Sequence, residues 1–121
     1  MTRIIEILMY TLKPGSGLDF HQIMQNVSVP LHLEAGMDVV SYGSSLHDCD
    51  SYHLIRSYGS ESHRQVSQDT FYASAAWKQG PREDIISRIE ISTTTVMALT
   101  QDVIDAIRAS VDLSGAEART A

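Results

Sequence analysis

The chain has 121 residues, 43% of them apolar, nine Lys plus Arg against fifteen Asp plus Glu, a formal charge of −6, and a single cysteine. The length suits one domain and the apolar share suits a packed core, so a disordered chain is excluded. No stretch approaches the ~20 apolar residues of a membrane span. The acidic balance argues against nucleic acid, which needs concentrated Lys and Arg. Cys49 alone can make neither an internal disulfide nor a multi-cysteine zinc site. The start, Met1-Thr2-Arg3, lacks signal-peptide anatomy, and the expected compartment is the cytoplasm.

In chain order, residues 4–12 read as a strand that ends at the turn signal Lys13-Pro14-Gly15. Both of its faces are largely apolar. Ile5, Ile7, Met9 and Thr11 make the side expected beneath helices. Ile4, Glu6, Leu8, Tyr10 and Leu12 make the other. Phe20, Ile23, Met24, Val27 and Leu31 form one helical stripe. Ser16 or Asp19 is expected to cap it, Pro30 to kink or end it, and Ala35-Gly36 to stop it. Residues 37–46 and 51–58 predict two strands around the polar loop His47-Asp48-Cys49-Asp50.

A second helix is predicted to start near Ser60 or Ser62, with Ser62 and Gln65 as a capping box. Val66, Thr70, Ala73 and Trp77 share one of its faces, and it stops at Gly80. Pro81 opens a short helix with Glu83 and Asp84 in its first turn. The β-branched run 89–99 predicts the last strand. Val103, Ile104, Ile107 and Val111 mark a terminal helix. The domain is expected over residues 1–111, with 112–121 a flexible tail.

The order is therefore βαββαβ plus a C-terminal helix, a ferredoxin-like α+β fold with a four-stranded antiparallel sheet. Two helices can cover only one face of such a sheet. Leu8, Tyr10, Leu12, His53 and Ile55 are expected on the uncovered one. That face predicts a homodimer, two sheets closing as a dimeric α+β barrel.

Three segments resemble the NIPSNAP family of the dimeric α+β barrel superfamily. They are Glu6-Ile7-Leu8-Met9-Tyr10-Thr11-Leu12-Lys13-Pro14-Gly15 with Phe20; His53-Leu54-Ile55-Arg56 with Tyr58 and Ser60; and Ser67-Gln68-Asp69-Thr70-Phe71-Tyr72-Ala73-Ser74 with Trp77 and Gly80-Pro81-Arg82. The likeness covers roughly residues 4–100. It departs at Leu8, where the family often has Arg, and at Ile55, where it often has Trp. Both departures take polar or aromatic groups from the expected barrel face. The resemblance implies the dimeric barrel and little chemistry. Other proteins of this fold include cofactor-independent monooxygenases, heme-handling enzymes and lactone isomerases.

The candidate catalytic residues are Glu6, Tyr10 and His53. Glu6 and Tyr10 lie about 13 Å apart on one strand face. They are either an acid and a phenol in a cavity or an interfacial polar pair. His53 is either an acid–base group or a histidine satisfied by a hydrogen bond. Tyr10, Arg56, Tyr58 and Trp77 are candidate ligand-binding residues. Arg56 would hold an anionic or enol-like group, or pair with an acid such as Glu90. Phe71, Tyr72 and Trp77 read as packing anchors, and Arg82 as a tether of a helix start or dimer contact. His21 and His32 stand eleven residues apart, too far for one ion, and no metal is expected. Acidic neighbours argue against a reactive Cys49 thiolate. No phosphate loop or Gly-x-Ser-x-Gly elbow occurs, and no cofactor is expected. Two functions follow. One is a dimer binding a small apolar or aromatic ligand, with monooxygenase-like chemistry that needs no cofactor. The other is a non-catalytic dimeric binding or assembly module.

Overall fold

A computed structural model describes the backbone of residues 1–120 and the side chains of residues 1–110. Strand β1 (Thr2–Leu12) is followed by α1 (Gly17–Ile23), a π-helical turn over Met24–Ser28, and α2 (Val29–Glu34). Next come β2 (Asp38–Ser44), β3 (Ser51–Tyr58), α3 (Glu61–Ala73), α4 (Ala75–Gln79), α5 (Arg82–Ile86), β4 (Ile89–Thr100) and α6 (Gln101–Thr120). The strands form one sheet in the order β2-β3-β1-β4, with every neighbouring pair antiparallel. This is the expected α+β arrangement. The predicted tail, residues 112–121, lies outside the described side chains.

Local chemistry explains the joints. The Asp50 carboxylate accepts hydrogen bonds from the Gly15 and Gly17 amides at 3.0 and 2.9 Å, tying the start of α1 to the β2–β3 loop. A Cβ on Gly17 would fall 1.9 Å from the Cys49 carbonyl oxygen, so only glycine fits this approach. Pro30 does not end the helix. The backbone loosens to a π turn just before it, where the Val29 amide bonds the Met24 carbonyl, and Pro30 then occupies the first turn of α2, where a missing N–H costs nothing. The α3 cap is Ser60 rather than Ser62: its hydroxyl accepts from the His63 amide at 3.0 Å. The predicted single helix to Gly80 is split at Ser74, which leaves helical backbone and caps α4 through the Trp77 amide.

The two faces of β1 are the reverse of the sequence expectation. Leu8 and Leu12 are buried under the helices with Phe20, Met24, Tyr52, Leu54, Tyr58 and Phe71, and Tyr10 packs against them. Ile5, Ile7, Met9 and Thr11 lie on the opposite face, registered against Met97, Thr95, Thr93 and Ile91 of β4 and, for Met9 and Ile7, against His53 and Ile55 of β3. His53 and Ile55 are therefore outward as expected, while Tyr10 packs against the helix-side core. The outer face is not bare. Helix α6 crosses one end of it and buries Ile104 against Ile5 and Val40, with Ile55, Leu99 and Ile107 packed around them. Arg108 holds the helix there, donating to the Val39 carbonyl and to both oxygens of Asp38 at 3.0 Å. The rest of the face keeps large apolar groups in solvent: Met9 is 51% exposed, Ile91 58% and Met97 41%.

Candidate functional site

Beneath α3, a polar cluster sits inside the apolar layer. Glu6 of β1 and Arg56 of β3 are direct cross-strand partners, and both are 1% exposed. Arg56 donates from Nε to Glu6 Oε1 at 2.7 Å, and its Nη2 lies 2.6 Å from the same oxygen. The other face of the carboxylate, Oε2, receives Arg64 Nη1 at 2.8 Å and the Gln68 amide. Tyr58 donates its hydroxyl to Oε1 at 3.2 Å. A buried charge is tolerable only when it is paired and fully hydrogen-bonded, and Glu6 meets that condition. Burial opposes its ionisation. The Arg56 charge and the bonds from Arg56, Arg64 and Gln68 outweigh burial and hold the carboxyl below the usual range. Burial also pushes the Tyr58 phenol up to about 12.

Arg56 Nη1 has two further neighbours, His32 Nε2 at 3.0 Å and the Tyr72 hydroxyl oxygen at 2.8 Å. His32 Nδ1 lies 2.7 Å from the Ser28 carbonyl oxygen at the end of the π turn. A carbonyl only accepts, so Nδ1 carries the proton and Nε2 accepts from Arg56. The imidazole is thereby neutral. Burial lowers its pKa to about 4, the Ser28 bond opposing and the Arg56 charge reinforcing that shift. The π turn has a site-level consequence: it points His32 inward at the guanidinium.

Beside the cluster opens a cleft of about 350 Å³ between the sheet and α3–α5. Leu8, Ile85, Ile86 and Ile89 supply apolar walls, Trp77 and the rings of Tyr10 and Tyr72 the aromatic ones, and Arg82 and Ser92 the rim. Tyr72 joins cleft to cluster, since its hydroxyl accepts from Arg56 and its ring packs edge-on against Trp77, centroids 5.2 Å apart. Burial pushes the Tyr10 phenol upward, so it stays protonated.

Of the sequence candidates, Tyr10 and Trp77 line this cleft, while Glu6, Arg56 and Tyr58 lie behind it in the cluster. Arg56 pairs with Glu6, and Glu90 is exposed. His53 lies on the outer face, its Nε2 2.9 Å from Ser41 Oγ, in a depression lined also by Met9, Tyr10, Thr11 and Thr93. Burial lowers its pKa, partly offset by the Gly43 backbone. The sequence alone weighs His32 only as a metal ligand, places Gln68 only in a family-like segment and Tyr72 in packing, and gives no role to Arg64. One signal was available: Arg64, Gln68 and Tyr72 fall at i, i+4 and i+8, a polar stripe along one side of α3.

Comparison with known proteins bears on the fold. No family model matches the sequence, and no curated protein does. Solved structures match well. An uncharacterised NIPSNAP-like domain protein from Burkholderia xenovorans aligns with a TM-score of 0.74 at 14% identity, over 82% of this chain and 86% of that one. A NIPSNAP family protein of unknown function from Agrobacterium tumefaciens gives 0.73 at 18%, over 81% and 88%. A candidate antibiotic biosynthesis monooxygenase from Nitrosomonas europaea gives 0.60 at 13%, over 78% and 95%. The chain has the fold of the NIPSNAP proteins, an architecture it also shares with that monooxygenase-like protein.

Proposed function

We propose that the chain is a NIPSNAP-like cytoplasmic protein that binds a small apolar or aromatic ligand as a homodimer. The observation that carries this reading is the cleft: an apolar hollow of about 350 Å³ whose inner wall ends on two phenols, one of them bonded to a buried arginine. A mostly apolar pocket with a few placed polar groups is the usual form of a ligand site. A thermal-shift screen of polycyclic phenols and heme tests it. The expected result is a raised Tm with at least one ring compound, accompanied by a change in fluorescence of the single tryptophan, Trp77. No stabilising compound would leave the non-catalytic binding or assembly module as the better account.

The dimer rests on the outer face, where Met9, Ile91 and Met97 remain exposed after α6 has covered its share. Among the described residues β4 pairs only with β1, leaving a 12-residue strand at the sheet edge. Light scattering at micromolar concentration should give twice the 13.4 kDa chain mass. The fold shared with the Nitrosomonas protein supports an enzymatic version, in which a bound phenol reacts with dioxygen without a cofactor. Oxygen uptake on adding a stabilising phenol checks that version.

A further inference from the structure

The bonding of Arg56 restricts what the cleft can bind. Its Nε and Nη2 face Glu6, its Nη1 protons go to His32 and Tyr72, and the residue is buried. It cannot reach a ligand itself. It acts on the cleft through Tyr72, whose hydroxyl oxygen is engaged as an acceptor while, among the described residues, its proton has no taker. A phenol in that state is a committed donor, strengthened by the cation bonded to its oxygen. Tyr10 has no hydrogen-bond partner among the described residues and presents a second phenolic donor on the same wall. Among the described residues the one charged side chain in the cleft lining is a cation, Arg82 at the rim, and no carboxylate lines the cleft; the neighbour of Arg82, Glu83, is highly exposed, and a pair so placed holds weakly.

We propose that the cleft selects ring compounds that carry an anionic oxygen, with Tyr72 as the donor that relays the Arg56 charge and Tyr10 as a second donor. The inference rests on the ligand-binding reading above and sharpens its ligand class. An ammonium in the same place would meet donors and cations. A bare hydrocarbon would leave both phenols dry and unpaired, which costs affinity.

Calorimetric titration of the full chain with three naphthalene probes separates the possibilities: 2-naphthoate, 2-naphthylmethylamine and 2-methylnaphthalene. The expected order places the carboxylate at least about ten-fold tighter than either other probe, since a hydrogen bond to a charged group discriminates on that scale. Tyr72→Phe should erase most of that preference, weakening the carboxylate while the hydrocarbon binds as well or better, since one phenol fewer is left unpaired. Tyr10→Phe, which removes a hydroxyl with no partner among the described residues and so leaves the fold intact, should erase a smaller part. Equal affinity for carboxylate and amine overturns the inference and leaves the cleft reading standing. A carboxylate preference untouched by both substitutions also overturns it, since the anion then binds elsewhere. Binding of none of the probes overturns both readings.

Discussion

On the helical side of the sheet, Glu6 and Arg56 lie buried near Tyr58 and Tyr72, with both carboxylate oxygens and all three guanidinium nitrogens bonded. On the outer side, Met9, Ile91 and Met97 face solvent and one helix alone gives cover. The first side hides charge, and the second shows hydrocarbon. Each inverts the ordinary preference of soluble proteins. A buried ion pair contributes little net stability compared with apolar residues of the same size. An arrangement of seven polar groups beside a cleft is thus better explained by its effect on the cleft. The exposed apolar groups are better explained by a surface they meet.

The largest expected effect comes from breaking the sealed side. Glu6→Gln leaves Arg56 as an uncompensated buried charge and should cost about 3–5 kcal/mol in chemical denaturation. Arg56→Met should do less harm than Glu6→Gln if charge, rather than shape, sets the cost, because Glu6 keeps Arg64 and Gln68 as partners. On the other side, Ile104→Ala opens a hole beneath α6 and should cost about 2–4 kcal/mol.

Acid provides a third probe, of about 3 kcal/mol. His32 is held neutral in the fold with a pKa near 4, against 6.5 in the open chain. Between those values the unfolded state binds more protons than the native one, so stability falls as pH drops from about 6.5 toward 4. Glu6, also depressed, adds a loss of the same sign below its ordinary value of 4.5. His32→Gln, which retains an acceptor for Arg56, should flatten the upper part of that profile. An unchanged profile would show that the imidazole is not held neutral by the cluster. The smallest effect belongs to the exposed surface. Met9→Ser should change monomer stability by no more than about 0.5 kcal/mol, yet lower Tm and flatten its dependence on protein concentration if two copies meet there.

The element order could be read from hydrophobic period and turn residues, because those signals are local. The faces of β1 could not. Ile5, Ile7 and Met9 against Ile4, Leu8 and Leu12 is nearly a tie in hydrophobicity, and Glu6 and Tyr10 tipped the reading toward solvent. What overturns it lies far along the chain: Arg56, Arg64 and Gln68 stand 50, 58 and 62 residues from Glu6 and neutralise the cost of burying it. The candidate site was half legible for the same reason. Tyr10, Arg56 and Trp77 are conspicuous by residue type alone. His32 looks like any helical histidine until the π turn is known, and Tyr72 looks like core until its hydroxyl is seen bonded to Arg56.

The π turn at Met24–Ser28 also bears on how this chain tolerates length changes. A π turn accommodates one residue more than the α-helix around it would need. Removing a single residue there would let the segment wind as plain α-helix with α2 kept in nearly its present orientation, whereas forcing α winding at the present length would swing everything after it by about 100° around the axis. Shortened by one residue, the protein would be expected to fold and to keep His32 beside the Arg56 guanidinium.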